Sequence, residues 1–292
     1  MSQHVIFDQI LIEKFRQRAF EKYGTQGDFL LAHVLEDLQE RIANVDRNFA
    51  LTAYLHSHTS SGIDALKHSN KIHDFEVIET DERYGSQFHT FHRRDREFLD
   101  LPIQHFDLIV SLLSLHIVND VPGVLTQIKR SLKPDGLFLG VLPGAGTLGE
   151  LRETFLQAET EIYGGASPRI YPFMDIRDAG ALLQRVGFAM PVTDVENITV
   201  RYDSTYHIMR DLRAMGMQNA LFKRSRKMMT KRFFERVNEI YSERFSDCDG
   251  RIRASFSFIW LSGWAPDDSQ QKPMKPGTAK VSLIDALAKN NT

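Results

Sequence analysis

The alternation of short apolar runs with amphipathic stretches is the feature that most constrains the fold of this chain. The runs have the length of buried strands, and the stretches between them carry apolar residues at helical spacing. Strands that alternate with helices favour right-handed crossovers and a mainly parallel sheet. The sequence therefore predicts an α/β fold built on a doubly wound, Rossmann-like sheet. The predicted strands are 49–55, 74–81, 87–93, 106–116, 137–143, 190–202 and 251–265.

Two amphipathic segments, 8–23 and 28–43, come before the first strand and predict two lead-in helices. Asp28 is the expected N-cap of the second helix. Residues 204–244 predict a helical insertion before the last strand, broken near Gly216. The other predicted helices are 61–69, 121–134, 147–164 and 175–188, and a Lys-Pro-Asp-Gly turn at 133–136 is expected to close the second of these.

The 292 residues are enough for one large domain. We expect this domain over 1–265, with the helical lead-in at 1–45 and the helical insertion at 204–246. The tail at 266–292 is rich in Pro, Gln, Ser and Lys and is expected to be loosely held.

The charges nearly balance, because 36 Lys and Arg residues face 38 Asp and Glu residues. This balance argues against a nucleic-acid binder, which usually carries a basic excess. The lone Cys248 excludes an intrachain disulfide and a zinc site built on cysteines. The N-terminus does not read as a signal or transit peptide and no apolar run has membrane-spanning length, so we expect a cytoplasmic location. We also expect a monomer.

Polar residues at the ends of the predicted strands are the candidates for chemistry, because ligands of doubly wound sheets bind beyond those ends. Glu79 ends the second strand, where a carboxylate can accept hydrogen bonds from both ribose hydroxyls of a nucleoside; an ordinary acidic strand end is the alternative. Asp95 could accept from an adenine amino group, or be a surface charge among arginines. His116 could be a general base or a substrate contact. Asp120 is better explained as a helix N-cap.

The two histidines after the first strand are a possible pair of metal ligands. His56 and His58 would lie on one face of a strand, but no residue at ligand spacing completes a set, so we predict no metal site.

Residues 222–236 carry seven Lys or Arg residues among Phe and Met. They predict either a peripheral membrane or partner helix, or a solvated face opposite a core stripe of Phe222, Met229 and Phe233.

Several motifs together resemble a known superfamily. The stretch "FDLIVSLLSLHIVNDVPGVLTQIKRSLKPDGLFLG" resembles the fourth and fifth strands of class I S-adenosylmethionine-dependent methyltransferases. The segments "TLGELRETFLQAETEIYGGASPRIYPF", "DAGALLQRVGF", "DLRAMGMQNAL" and "PGTAKVSL" resemble, more narrowly, the mitochondrial complex I assembly factor family described as an arginine hydroxylase, together with its bacterial relatives. The malonyl-acyl-carrier-protein methyltransferase of biotin synthesis is a more distant relative.

The resemblance implies a class I methyltransferase sheet, S-adenosylmethionine as cofactor and a respiratory complex I subunit as partner. It places Glu79 at the ribose, Asp95 near the adenine, and Ser114, Leu115 and His116 between cofactor and substrate. The implied substrate or partner residues are Arg18 and Tyr23 in the lead-in, with Phe15, and Gly165 and Arg169 in a loop that also contains Gly164, Ser167 and Pro168.

The first strand departs from the family pattern. Where the family has a glycine-rich loop that begins with an acid, Thr52 to Ser60 contain neither glycine nor acid. The loop positions are Leu55, His56, Ser57 and His58, whose side chains would occupy space that the cofactor needs. Three functions follow: a methyltransferase with a remodelled loop, a non-methylating complex I assembly factor or protein arginine hydroxylase, and a non-catalytic scaffold of the same fold.

Overall fold

The structure is a computed structural model that describes residues 5–56, 59–85, 88 and 90–271. The predicted positions Ser57 and His58, and most of the predicted tail, lie outside these residues. The strands are β1 (Phe49–Leu55), β2 (Ile72–Glu79), β3 (Phe91–Arg93), β4 (Phe106–Leu112), β5 (Leu132–Pro143), β6 (Ala189–Tyr202) and β7 (Ile252–Trp264). The α-helices are α1 (Gln9–Tyr23), α2 (Phe29–Asn44), α3 (Ser61–Lys67), α4 (Val121–Ser131), α5 (Gly149–Tyr163), α6 (Ile176–Val186), α7 (Thr205–Ala214) and α8 (Lys231–Phe245).

The seven strands form one sheet in the order β3-β2-β1-β4-β5-β7-β6. β1 pairs in parallel with both β2 and β4, and β4 pairs in parallel with β5. β7 is antiparallel to both β5 and β6. The predicted doubly wound sheet is therefore confirmed. Strand order reverses between β1 and β4, so the fold places its ligand edge at the carboxyl ends of these strands.

The central strands are apolar throughout because both faces of the sheet are covered. In β4, Val110 and Leu112 belong to a core beneath α2 and α5, whereas Ile109 points to a second core beneath α4 and α6. This two-residue alternation follows from strand geometry. It fixes which of the two cores each side chain of the strand enters.

Two predicted boundaries in this region were wrong. The predicted helix over 121–134 ends at Ser131, and 133–136 belongs to an irregular start of β5. Phe106 pairs with Leu132 and the nearby Leu108 pairs with Leu137, so the extra residues of β5 bulge out of the ladder. The predicted strand over 106–116 stops at Leu112.

The lead-in helices are confirmed, and aspartates cap both of them. The carboxylate of Asp8 accepts a hydrogen bond from the backbone N–H of Leu11, and that of Asp28 accepts one from Leu31. Each bond satisfies a donor that the first helical turn leaves unpaired. Of the residues described, no helix combines the length and apolar character that crossing a membrane requires.

The helical insertion differs from its prediction. It forms two helices, α7 and α8, and the basic segment 222–236 becomes helical only from Lys231. Thr230 caps α8 by accepting from the N–H of Phe233, which is buried as predicted. Phe222 is 54% exposed and is not part of the core, because its N–H bonds the carbonyl of Ile6 and holds it at the surface.

Candidate functional site

Helix α1 lies across the carboxyl ends of three strands. Gln9 donates to the carbonyl of Ile117 beyond β4 at 2.7 Å. One turn later, Glu13 accepts a hydrogen bond from Thr80 beyond β2 at 2.8 Å. Arg16 then reaches the carbonyl that follows β1, and Gln17 donates to Asp81 at 3.1 Å. Because the spacing of 9, 13, 16 and 17 is that of one helical face, the helix covers the carboxyl ends of β1, β2 and β4.

Arg16 is the central side chain of this contact. It is only 1% exposed, and its Nη1 lies 3.5 Å from the carbonyl oxygen of His56. Its Nε and Nη2 have no hydrogen-bond partner among the described residues. Burial and the nearby charge of Arg96 lower the pKa of Arg16 to about 10, which still leaves the guanidinium charged at neutral pH.

Two glutamates balance this charge. Glu79 is 1% exposed, and its Oε2 lies 3.8 Å from Nδ1 of His56. Glu13 pairs with Arg96 at 3.4 Å and accepts a hydrogen bond from Tyr84 at 3.1 Å. Burial lowers the pKa of His56, so its imidazole is neutral. The ligand edge thus holds a buried network with two guanidinium and two carboxylate groups.

The turn after β1 is built without glycine at its first position. His56 takes a φ of 51°, a left-handed conformation in which histidine is enriched among non-glycine residues. Gly62 in α3 is needed for a different reason, since a Cβ there would lie 1.6 Å from the hydroxyl of the buried Tyr54. The side chain of Tyr54 therefore fills space beside the loop.

S-adenosylmethionine, the cofactor implied by the resemblance, does not fit this arrangement. Its ribose would have to reach the carboxylate of Glu79, which α1 covers. The other predicted contacts Leu55, Ser114 and Leu115 are at most 3% exposed. A bound nucleoside needs accessible surface on such residues, and with α1 in place they offer almost none.

His116 lies at the same edge and is a poor general base. It is buried beside Phe173, and its Nδ1 has no hydrogen-bond partner among the described residues. Burial, Arg16 and Arg96 together lower its pKa to about 3. The imidazole is therefore neutral at pH 7 and able to donate or accept a hydrogen bond, but it has little affinity for a proton.

The remaining polar residues of this region support the backbone. Asp95 is exposed, and its carboxylate accepts from the N–H of Glu97 at 2.7 Å, so the structure places it in a turn. Asp120 caps α4 through the N–H of Gly123, as predicted. Ser114 shares a hydrogen bond of 2.9 Å with Ser111.

A largely apolar cavity of about 240 Å³ opens beside His116. Leu113, Leu148, Phe155 and Phe256 are among its walls, and α7 and the loop after it add several methionines. The cavity also reaches Asp28, whose pKa burial raises to about 6. An apolar pocket with a few converging polar groups is the usual form of a small-ligand or side-chain site.

The predicted substrate residues separate into three places. Arg169 borders the cavity, pairs with Glu159 and stacks over the ring of Phe233. Gly165 is exposed in the loop before it. Arg18 and Tyr23 line a different cleft on the outer side of α1. Among residues 5–56, 59–85, 88 and 90–271, no group of three His, Cys, Asp or Glu side chains could hold a metal.

Sequence reasoning missed Arg16, Glu13 and Arg96. Polar residues at helical spacing on a lead-in helix are typical of a solvated face, so composition gave no reason to bury them. The available signal was the absence of glycine after β1, which leaves the edge open to a side chain from elsewhere in the fold.

Known proteins resemble this chain in sequence and in fold. A family model described as a methyltransferase domain matches residues 23–191. Arginine-hydroxylase NDUFAF5, mitochondrial, of Rattus norvegicus is 35% identical over 98% of this chain and 85% of its own length. The protein of the same name in Danio rerio is 42% identical, but the match spans 65% of this chain and 59% of that protein. The malonyl-[acyl-carrier protein] O-methyltransferase of Methylovorus is 30% identical over 96% of this chain and 95% of its own length.

Solved structures agree on the fold. The YcgJ protein of Bacillus subtilis superimposes with a TM-score of 0.54 at 16% identity, covering 81% of this chain and 99% of that chain. The BH2331 protein of Bacillus halodurans C-125 gives a TM-score of 0.54 at 14% identity, covering 80% and 99%. At this identity the likeness concerns the fold alone.

Replacement of Arg16 tests the buried network. We expect Arg16→Met to lower the free energy of unfolding by about 3–5 kcal/mol, because it leaves buried carboxylates without their counter-charge. The exposed Arg18 on the same helix is the matched control, and Arg18→Met should change it by less than about 0.5 kcal/mol. Urea denaturation measures both, and equal stability of the two variants would contradict a buried charge at this edge.

The pKa of His116 predicts a pH dependence of stability. Since this pKa falls from 6.5 in the unfolded chain to about 3 in the folded one, stability is fully present above pH 6.5 and is lost as pH falls toward 3. The loss is about 1.4 kcal/mol per pH unit. Asp28, with its raised pKa, changes stability in the opposite direction below about pH 6, so the histidine must be isolated by difference.

We therefore expect His116→Gln to lose less stability than the wild-type protein between neutral pH and about pH 5, as measured by urea denaturation. His68→Gln, at an exposed position, should follow the wild-type protein. A pH dependence unchanged by His116→Gln would show that this imidazole is not held neutral by burial.

Proposed function

The chain belongs to the methyltransferase-domain family, with arginine-hydroxylase NDUFAF5 proteins among its relatives, and we propose that it is a non-methylating assembly factor for respiratory complex I. Its role is to bind a subunit of that complex during maturation. The fold provides the scaffold, and the cofactor position of related methyltransferases is used by the chain's own lead-in helix.

One observation carries this proposal: the guanidinium of Arg16 and the carboxylate of Glu79 are buried together at the ligand edge. Glu79 is the residue that would hold a ribose. A ligand at this carboxylate would have to displace α1 and uncover charges that now balance each other. Binding must therefore overcome the free energy of the contacts that α1 makes with the strand ends, including the pairing of these buried charges.

The cavity beside His116 supports recognition of a protein partner. It remains accessible with α1 in place, and its apolar walls suit an inserted side chain. Similarity to proteins named arginine hydroxylases favours an arginine of the partner as the residue presented there. Hydroxylation of that arginine would also require an oxidant, so binding is the activity we assign to this chain.

Methyl transfer from S-adenosylmethionine is the second candidate. The position of Glu79 at the end of β2 favours it, together with similarity to a malonyl-[acyl-carrier protein] O-methyltransferase. This function requires α1 to leave the strand ends before the cofactor binds. The two candidates therefore differ in whether the isolated protein binds the cofactor.

Calorimetry distinguishes them. We expect no heat of binding when S-adenosylmethionine or S-adenosylhomocysteine is added to the full chain at about millimolar concentration, because the ligand would first have to displace α1. Even a ligand with a millimolar dissociation constant gains only about 4 kcal/mol on binding. A family methyltransferase measured in the same buffer is the positive control. Binding of either ligand at micromolar affinity would contradict the proposal and favour methyl transfer.

Deletion of the gene tests the biological role. We expect the amount of assembled complex I to fall on native gels and to recover when the wild-type gene is restored. Mass spectrometry of the complex I subunits then distinguishes an added methyl group from an added oxygen atom or no change. Normal assembly in the deletion strain would refute an assembly role, whereas a methyl group lost on deletion would favour the second candidate.

A further inference from the structure

The beginning of the described chain pairs with the loop between α7 and α8. Phe7 and Leu221 form an antiparallel bridge, and the N–H of Phe222 donates to the carbonyl of Ile6 at 2.8 Å. This pairing leaves Val5 and Ile6 each 43% exposed and Phe222 54% exposed. Three large apolar side chains are thus held together at the surface.

The loop that carries Phe222 is strongly basic. Lys223, Arg226, Lys227 and Arg232 are exposed, and none of them forms an ion pair with a residue in the described part of the chain. Met228, among them, is 95% exposed. The formal charge of the whole chain is −2, so this concentration of cations is local. We call Val5, Ile6 and residues 222–232 the basic face.

A groove of about 740 Å³ adjoins the basic face. Val5, Ile6 and Lys223 line its edge, and Leu156, 56% exposed, lines its wall. The described residues around it include Arg152 and Lys223, which form no ion pair with a described residue, and Arg169, which is paired with Glu159 behind the lining; no described acidic residue lines the groove. The groove therefore suits a ligand with an apolar body and a negative charge.

Four backbone N–H groups where the start of the described chain meets this loop are already satisfied. The N–H groups of Ile6 and Phe7 both donate to the side-chain oxygen of Asn119 at 2.8 Å. Those of Asp8 and Phe222 donate to Ala220 and Ile6. A peptide cannot use these donors to add as a strand. The groups that this surface does present are exposed apolar side chains and cations, which act by apolar insertion and by charge.

We propose that the basic face docks on the surface of an anionic lipid bilayer. Phe222 and Met228 insert among the acyl chains near the headgroups, and the unpaired cations contact lipid phosphates. This combination of exposed apolar and basic side chains is what binds peripheral proteins to membrane interfaces. The proposal is independent of the partner and of the reaction assigned to the cavity.

Vesicle sedimentation with the full chain tests the proposal. We expect the protein to sediment with vesicles of phosphatidylcholine and phosphatidylglycerol, and not with phosphatidylcholine alone. Lys223→Gln/Arg226→Gln/Lys227→Gln should weaken the partition by about 100-fold, from the contribution of each cation near an anionic surface. Phe222→Ala should weaken it by about tenfold.

The control variant Lys67→Gln/Arg93→Gln/Arg130→Gln removes three exposed cations elsewhere and should bind as the wild-type protein does. An equal loss in this control would show a general charge effect and overturn the proposal. So would wild-type protein that stays in solution, or that binds neutral vesicles equally well. Binding to soluble polyglutamate but not to vesicles would assign the face to an acidic protein instead.

Discussion

The structure depends on a buried guanidinium. Arg16 enters the ligand edge of the sheet from a helix outside it, and a charge in such a place is stable only with opposite charge close by. Glu13, one turn earlier, and Glu79, at the end of β2, supply that charge. The lead-in helix is therefore held to the sheet by electrostatics, and its position decides what the sheet can bind.

The family fold survives because its determinants lie elsewhere. The sheet is held by two apolar cores on either side of β1 and β4, and its crossovers follow from strand twist. His56 and Thr59, in the loop after β1, belong to neither core. In a cofactor-binding sheet, the residues after β1 meet a different requirement, because they must leave room for the cofactor. Tyr54 packs against Gly62 beside this turn and His56 takes a left-handed conformation within it, and the strands on either side still pair in the family order.

Local rules predicted much of this molecule. The order of strands and helices follows from periodicity, and the caps Asp28 and Asp120 follow from short-range backbone chemistry. Arg16 could not be predicted in this way, because His56 and Glu79, which surround it together with Glu13, are 40 or more residues away in sequence and only the folded sheet brings them to it. The prediction that Phe222 belongs to a core stripe was wrong for the same reason. Its exposure is set by a hydrogen bond to the distant Ile6 and not by the apolar pattern around it.

The loop between α7 and α8, which carries part of the basic face, also contacts helix α1 at the ligand edge. Asp8 caps α1 with one carboxylate oxygen, and the other lies 3.3 Å from Arg224 of the basic loop. At the start of the same loop, just after α7, Gly216 has a φ of 72° and lies so close that a Cβ would be 3.0 Å from the backbone of Arg16. The insertion thus holds α1 near both its first turn and its buried arginine. The loop between α7 and α8 therefore carries both the exposed cations of the basic face and the contacts that hold α1 over the strand ends.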